Sequence, residues 1–221
     1  METPSTPKTL PARIQDGLER IAAAMRSDDW QSSRAAGVNP AQFAILKLLE
    51  ARPSGLSVKQ LAAQLLVSQP SATESIAALE RKGLVDKRPD PADLRSARIV
   101  ITPAGREAMT AGRHDAGVAE RAAEALEPEA QEQMLLGLIA MIRQLQESGT
   151  IPIQRMCVSC RYFSPFAHAD AARPHHCHFV DAAFGQNDLR IDCREHETAD
   201  PSTRAATWRA LQKDQSHPPG T

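Results

Sequence analysis

No stretch of the 221-residue chain approaches the roughly 18 consecutive apolar residues that suggest a membrane-spanning helix. The opening segment, Met1-Glu2-Thr3-Pro4-Ser5-Thr6-Pro7-Lys8, lacks the apolar core of a secretory signal. Both absences point to a cytoplasmic protein with no membrane partner. A surplus of charge is missing too: 26 Lys and Arg against 27 Asp and Glu leave a formal net charge of -1. The chain is therefore not the basic body of an indiscriminate nucleic-acid binder, and any DNA-binding face must be a local patch. There is no phosphate-binding glycine loop, nucleophile elbow or H-E-x-x-H helix, so the common signatures of an enzyme are absent. Cysteine is confined to four positions between Cys157 and Cys193. Without an export signal, that argues against disulfides and for metal or redox chemistry.

What is present is mostly helical periodicity. Ile14, Leu18, Ile21 and Met25 recur at spacings of three and four, predicting a helix over about 11–26. Phe43, Leu46 and Leu49 mark a second over 40–50, capped by Asn39 with Pro40 in its first turn. Ser57 and Gln60 form a capping-box pair before a short helix carrying Val58, Leu61 and Leu65. Ser68 caps the next helix, whose inward face is Ile76 and Leu79 and which Gly83 closes. Two short strands follow, 84–87 and 97–102, around the Asp90-Pro91 turn. Thr102-Pro103 opens a long helix to about Ala125. Pro128 opens another with a broad apolar band from Met134 to Leu145.

Helix, helix, capped helix, capped helix, basic hairpin and long helix form a specific order over residues 10–148. Its helix-turn-helix portion reads Gly55-Leu56-Ser57-Val58 with Leu61-Ala62 and Leu65. It continues as Ser68-Gln69-Pro70-Ser71-Ala72-Thr73 and Leu79-Glu80-Arg81-Lys82-Gly83-Leu84-Val85. The hairpin reads Asp93-Leu94-Arg95-Ser96, then Arg98-Ile99-Val100-Ile101-Thr102-Pro103-Ala104-Gly105. Together they resemble the MarR family of bacterial winged-helix regulators. The resemblance implies a mainly α fold with a small β-hairpin wing, acting as a DNA-binding transcriptional regulator and not an enzyme. Pro70, early in the reading helix, departs from the commonest family pattern.

Ser68, Gln69, Ser71, Ala72 and Ser75 are the expected major-groove residues, short enough to let the helix enter the groove and set opposite the Ile76–Leu79 side. Lys87, Arg88, Arg95 and Arg98 crowd the hairpin, where cations reach phosphates or a narrow minor groove. By resemblance Arg95 makes that contact, and Asp93 orients it through a charge-assisted pair. The family dimerises through its terminal helices, so the first helix and the two after the hairpin are expected to form a homodimer. Two symmetric readers imply a pseudo-palindromic double-stranded operator. Repression is the implied direction, with affinity modulated by a small-molecule effector, redox state or metal.

From 153 to 197 the helical period stops. Cys157-Val158-Ser159-Cys160 is a C-x2-C knuckle, and Cys177 and Cys193 can complete four ligands for one metal centre. Structural zinc is preferred because it needs no assembly machinery; an iron–sulfur cluster is the alternative. Neither standard spacing is matched closely. His175, His176, His178 and His196 are alternative ligands, each read singly as a surface or supporting residue. Tyr162, Phe163, Phe166, Phe179 and Phe184 are expected to supply the apolar shell. The expected organisation is residues 1–150 as a DNA-binding and dimerisation domain, 151–198 as an irregular metal-bound module, and 199–221 as a disordered tail with at most a short helix near Trp208 and Leu211. Competing readings are a dithiol redox protein using Cys157 and Cys160, and a metal-held protein-interaction module.

Overall fold

A computed structural model describes residues 8–90, 93–111 and 116–215, the side chains of 93–95 and 213–215 excepted. The chain divides into two compact units, Met1–Leu126 and Glu127–Thr221. In the first, α1 (Leu10–Ala35), α2 (Pro40–Glu50), α3 (Val58–Leu65) and α4 (Gln69–Arg81) precede a hairpin of β1 (Val85–Asp90) and β2 (Asp93–Ile101). Helices α5 (Pro103–Ala111) and α6 (Val118–Glu124) follow.

Local sequence sets the helix starts. The Gln42 amide donates to Asn39 Oδ1 at 2.8 Å while the Asn39 amide donates to Gln42 Oε1 at 3.4 Å. Ser57 and Gln60 repeat the reciprocal pair at 3.2 and 2.8 Å, each satisfying amides that a helix end leaves unpaired. α4 starts at Gln69, which puts Pro70 in the first turn, where its missing N–H loses no helical bond.

The core of this unit joins Phe43, Ile45, Leu46 and Leu49 of α2 to Leu61, Ile76, Leu79, Val85, Ile99, Ile101 and Met109. At about 1.5–3 kcal/mol for each large apolar side chain fully buried, this cluster is what clamps the hairpin against the helix-turn-helix. Gly55 makes the clamp tight. Its φ is +74°, and a Cβ there would lie 2.5 Å from the Ile99 carbonyl oxygen. Leu56 and Ile99 exchange backbone hydrogen bonds beside it at 3.0 and 2.8 Å.

Three expectations need correction in this unit. α1 runs past Arg26 to Ala35, because no proline or glycine stands between Arg26 and Gly37. The hairpin strands are longer than 84–87 and 97–102, pairing antiparallel from Val85↔Ile101 out to Asp90↔Asp93. The single long helix to Ala125 is two helices, with Gly117 immediately before the second. Residues 112–115 lie outside the described residues. The amide of Val118 donates to Asp28 Oδ2 at 3.3 Å, docking the start of α6 on α1.

The second unit begins with α7 (Pro128–Glu147), then a 3-10 turn at Cys157–Ser159. A three-stranded antiparallel sheet follows: β3 (Phe163–Ser164), β4 (His175–Cys177) and β5 (Ala182–Phe184), in that order. A second 3-10 turn at Gln186–Asp188 and α8 (Pro201–Gln215) complete it. The boundary therefore falls before α7, not at residue 150. Ile139 of α7 is buried with Met156, Val158, Phe163, Leu189 and Leu211, so this helix shares the core of the cysteine-bearing segment. The expected disordered tail is instead a helix up to Gln215, with 216–221 outside the described residues. Asp200 caps it, accepting from the amides of Ser202 and Thr203, both at 3.0 Å. Hydrogen bonds from the hydroxyls of the same two residues, reinforced by those amides, hold its carboxyl well below the usual carboxylate range. Leu211, fully buried, anchors the far half.

Candidate functional site

The turn between α3 and α4 is closed by Leu66 in the left-handed region at φ +55° and by Ser68, whose Oγ accepts from the Ser71 amide at 3.2 Å. Among the expected readers, Ser68, Gln69 and Ser71 are exposed at the N-terminal end of α4. Ser75 is half-buried. Ala72 is a correction: only 1% exposed, it lies four residues before Ile76 on the same helical face and belongs to the core. The outward residues missed from sequence are Thr73 and Glu74. Stepping back four residues from Ile76 puts Ala72 on the inward face and leaves Glu74 opposite it, but with no large apolar residue between Ser68 and Ser75 that phase is only an extrapolation.

In the hairpin, Lys87 is exposed and pairs with Glu80 of α4 at 2.8 Å, while Arg88 is exposed on the opposite side of the strand. Arg98 stands directly across from Arg88, and two cations in such a pair repel. Asp90 relieves this, accepting from Arg98 Nε at 2.9 Å with both side chains largely shielded. Arg98 thus braces the hairpin while Arg88 faces solvent. The Asp93 and Arg95 side chains lie outside the described residues.

In the second unit the four cysteines come from three separate segments. Cys157 and Cys160 bracket the first 3-10 turn, with the Cys160 amide donating to the Cys157 carbonyl at 2.9 Å. Cys177 ends β4, opposite Phe163 and Ala182. Cys193 is brought back by backbone pairing: the Cys157 amide donates to the Arg190 carbonyl at 3.0 Å and the Cys193 amide to the Arg155 carbonyl at 2.9 Å. All four are free thiols lining one cavity of about 270 Å³. Tyr162, Phe179 and Phe184 form part of its wall, while Phe163 and Phe166 pack in the core around His175. Arg190, unremarked in the sequence, donates its amide to Cys157 Sγ at 3.3 Å and its guanidinium to Cys193 Sγ at 3.8 Å.

The histidines are engaged away from the cavity. His175 is buried, accepting from the Phe166 amide on Nδ1 and contacting Gln186 Oε1 through Nε2 at 2.6 Å. His176 meets His168 and Asp181, His178 meets Ser164, and His196 meets Ser159. Burial pushes the Cys157 thiol up to about 11, against the Arg190 amide, which lowers it. A resting dithiol catalyst needs the opposite, a lowered thiol that is partly thiolate at neutral pH.

The MarR family model matches residues 36–96, the stretch from the end of α1 through α4 into the hairpin. The chain is also 32% identical over 108 residues to the uncharacterized HTH-type transcriptional regulator YkoM of Bacillus subtilis, spanning 48% of this chain and 69% of that protein. The chain belongs to the MarR family. Among solved structures it is similar to CouR from Rhodococcus jostii RHA1 bound to p-coumaroyl-CoA, at 20% identity and TM-score 0.49 over 61% of this chain and 95% of that one. It is similar as well to the S. aureus MepR–DNA complex, at 22% identity and TM-score 0.49 over 63% of this chain and all of the other. As a MarR-family protein it is a DNA-binding transcriptional regulator, a class distinct from enzymes. No described helix is long and apolar enough to cross a membrane. The cysteine cavity falls outside the residues that the family model matches.

Proposed function

We propose that this MarR-family regulator is a homodimeric repressor of a pseudo-palindromic operator, reading bases with the N-terminal half of α4 and gripping the backbone with its hairpin. The carrying observation is the capped start of α4 with Gln69, Ser71 and Thr73 exposed, in the same unit as a hairpin that exposes the cationic Lys87 and Arg88. A polar helix end and a basic ribbon together supply both kinds of contact that operator recognition needs. Dimerisation is supported by an exposed apolar row on α1, Leu10, Ile14, Ile21 and Met25, and another on α7, Met134, Met141 and Leu145. Repression is the simpler output, because occupancy of a promoter suffices for it whereas activation needs a further surface for the polymerase. A small-molecule effector, redox state or metal occupancy sets operator affinity.

Selection from random duplex DNA tests the reading. The expected product is an inverted repeat with half-site centres roughly 10 base pairs, one helical turn, apart. Binding is expected to weaken steeply with salt, and Arg95→Ala to weaken it about equally on all sequences while flattening the salt dependence. In vitro transcription from the selected site should fall on adding protein. Recovery of no repeat, or Arg95→Ala binding unchanged at every salt concentration, would overturn the assignment.

A further inference from the structure

We propose that Cys157, Cys160, Cys177 and Cys193 hold a 4Fe–4S cluster in the second unit. These are all the cysteines of the chain, and although they come from three segments they line a single cavity without forming a disulfide. A lone zinc draws each thiolate to about 2.3 Å, which forces its ligands into mutual contact. Among the described residues, no three Cys, His, Asp or Glu side chains are gathered tightly enough for a single ion. The cavity they line with eight other residues, about 270 Å³, far exceeds the roughly 10–15 Å³ that admits one water. Four thiols lining a cavity of that size suit a polynuclear group in which each sulfur meets its own iron and inorganic sulfide fills the middle. Geometry thus favours the second of the two centres that the sequence leaves open.

The surroundings agree. Tyr162, Phe179, Val180 and Phe184 give the cavity an apolar wall, the carboxylates Asp188 and Glu195 also line it, and among the described residues no histidine does. The Arg190 amide and guanidinium point at Cys157 and Cys193 sulfurs, the kind of N–H···S contact that tunes a cluster. Loading is ligand exchange with no electron transferred. A preassembled 4Fe–4S complex gives up its four thiolates, each cysteine sulfur bonds one iron, and each cysteine proton passes to the departing thiolate. The assignment does not rest on the operator reading, and its test involves no DNA.

The full-length chain, purified without oxygen, is expected to be brown, with about four irons and four acid-labile sulfides per chain. Its broad visible absorption should bleach on reduction by dithionite. Cys177→Ser and Cys193→Ser should each lose most of the iron, whereas His176→Ala should keep it. Because a cysteine variant could lose its fold instead, apo wild-type protein is also incubated with a synthetic 4Fe–4S thiolate complex. Uptake of one cluster per chain, absent from the Cys193→Ser variant at equal circular dichroism, supports the assignment. Colourless protein holding zinc, protein with two irons per chain, or apo protein that takes up no cluster overturns it.

Discussion

Ser71 and Ala72 are neighbours on α4 with opposite roles. Ser71 is exposed, whereas Ala72 is buried against Ile76 and Leu79. Ala72→Asn should therefore lower the stability of the first unit by about 1–3 kcal/mol through an unsatisfied buried amide, read as a shifted denaturation midpoint. Ser71→Ala should leave that midpoint within about 0.5 kcal/mol and alter only the ranking of operator variants. Equal effects of the two substitutions on stability would contradict the placement of Ala72. Gly105 offers a second residue-scale test. A Cβ there would lie 2.2 Å from the Leu84 carbonyl oxygen and 2.7 Å from Ile101, so Gly105→Ala should destabilise by about 1–3 kcal/mol through overpacking. Were the cluster present, Arg190→Leu should lower its reduction potential. Losing a cation and a hydrogen bond to sulfur disfavours the added electron, and a redox titration reads the shift.

At the scale of elements, helix starts were legible in the sequence because caps are local: Asn39, Ser57 and Ser68 each bond the amide three residues on. The outward face of α4 was less so, since Ser68 to Ser75 holds no large apolar residue to phase it. The sheet of the second unit was not legible, because strands of two or three residues establish no period. α8 was missed for a related reason: among its described side chains, 201–212, only Thr207 and Leu211 are buried, and a polar helix so sparsely anchored reads like a tail. Its anchor is testable. Leu211→Ala should cost the second unit about 2–5 kcal/mol, checked by protease resistance of the segment from 153 onward. The exposed rows of α1 and α7 make a separate prediction. Ile14→Asp and Met141→Asp, both on exposed positions, should leave each protomer folded yet move the sedimenting species from dimer to monomer. A desolvated, unpaired carboxylate in the shared interface accounts for the loss.

For the whole molecule, the sequence carried the first unit well because its determinants are contiguous: matched caps, a repeated apolar period and a charged hairpin. It carried the second poorly, because convergence of Cys157, Cys160, Cys177 and Cys193 depends on backbone pairing between 155–157 and 190–193 that no local pattern announces. Two units with separate cores should unfold in separable steps. Calorimetry is expected to resolve two transitions, Ala72→Asn moving one and Leu211→Ala the other. A single transition shifted equally by both would refute that independence. The confinement of every sulfhydryl to the second unit also has a practical consequence. A maleimide dye or a mercury atom offered to apo protein at neutral pH finds its preferred thiol partners only at Cys157, Cys160, Cys177 and Cys193. Thiol labelling therefore leaves the DNA-reading unit chemically untouched, and the natural chain, with no cysteine removed or added, already carries a site-selective handle for fluorescence or heavy-atom phasing.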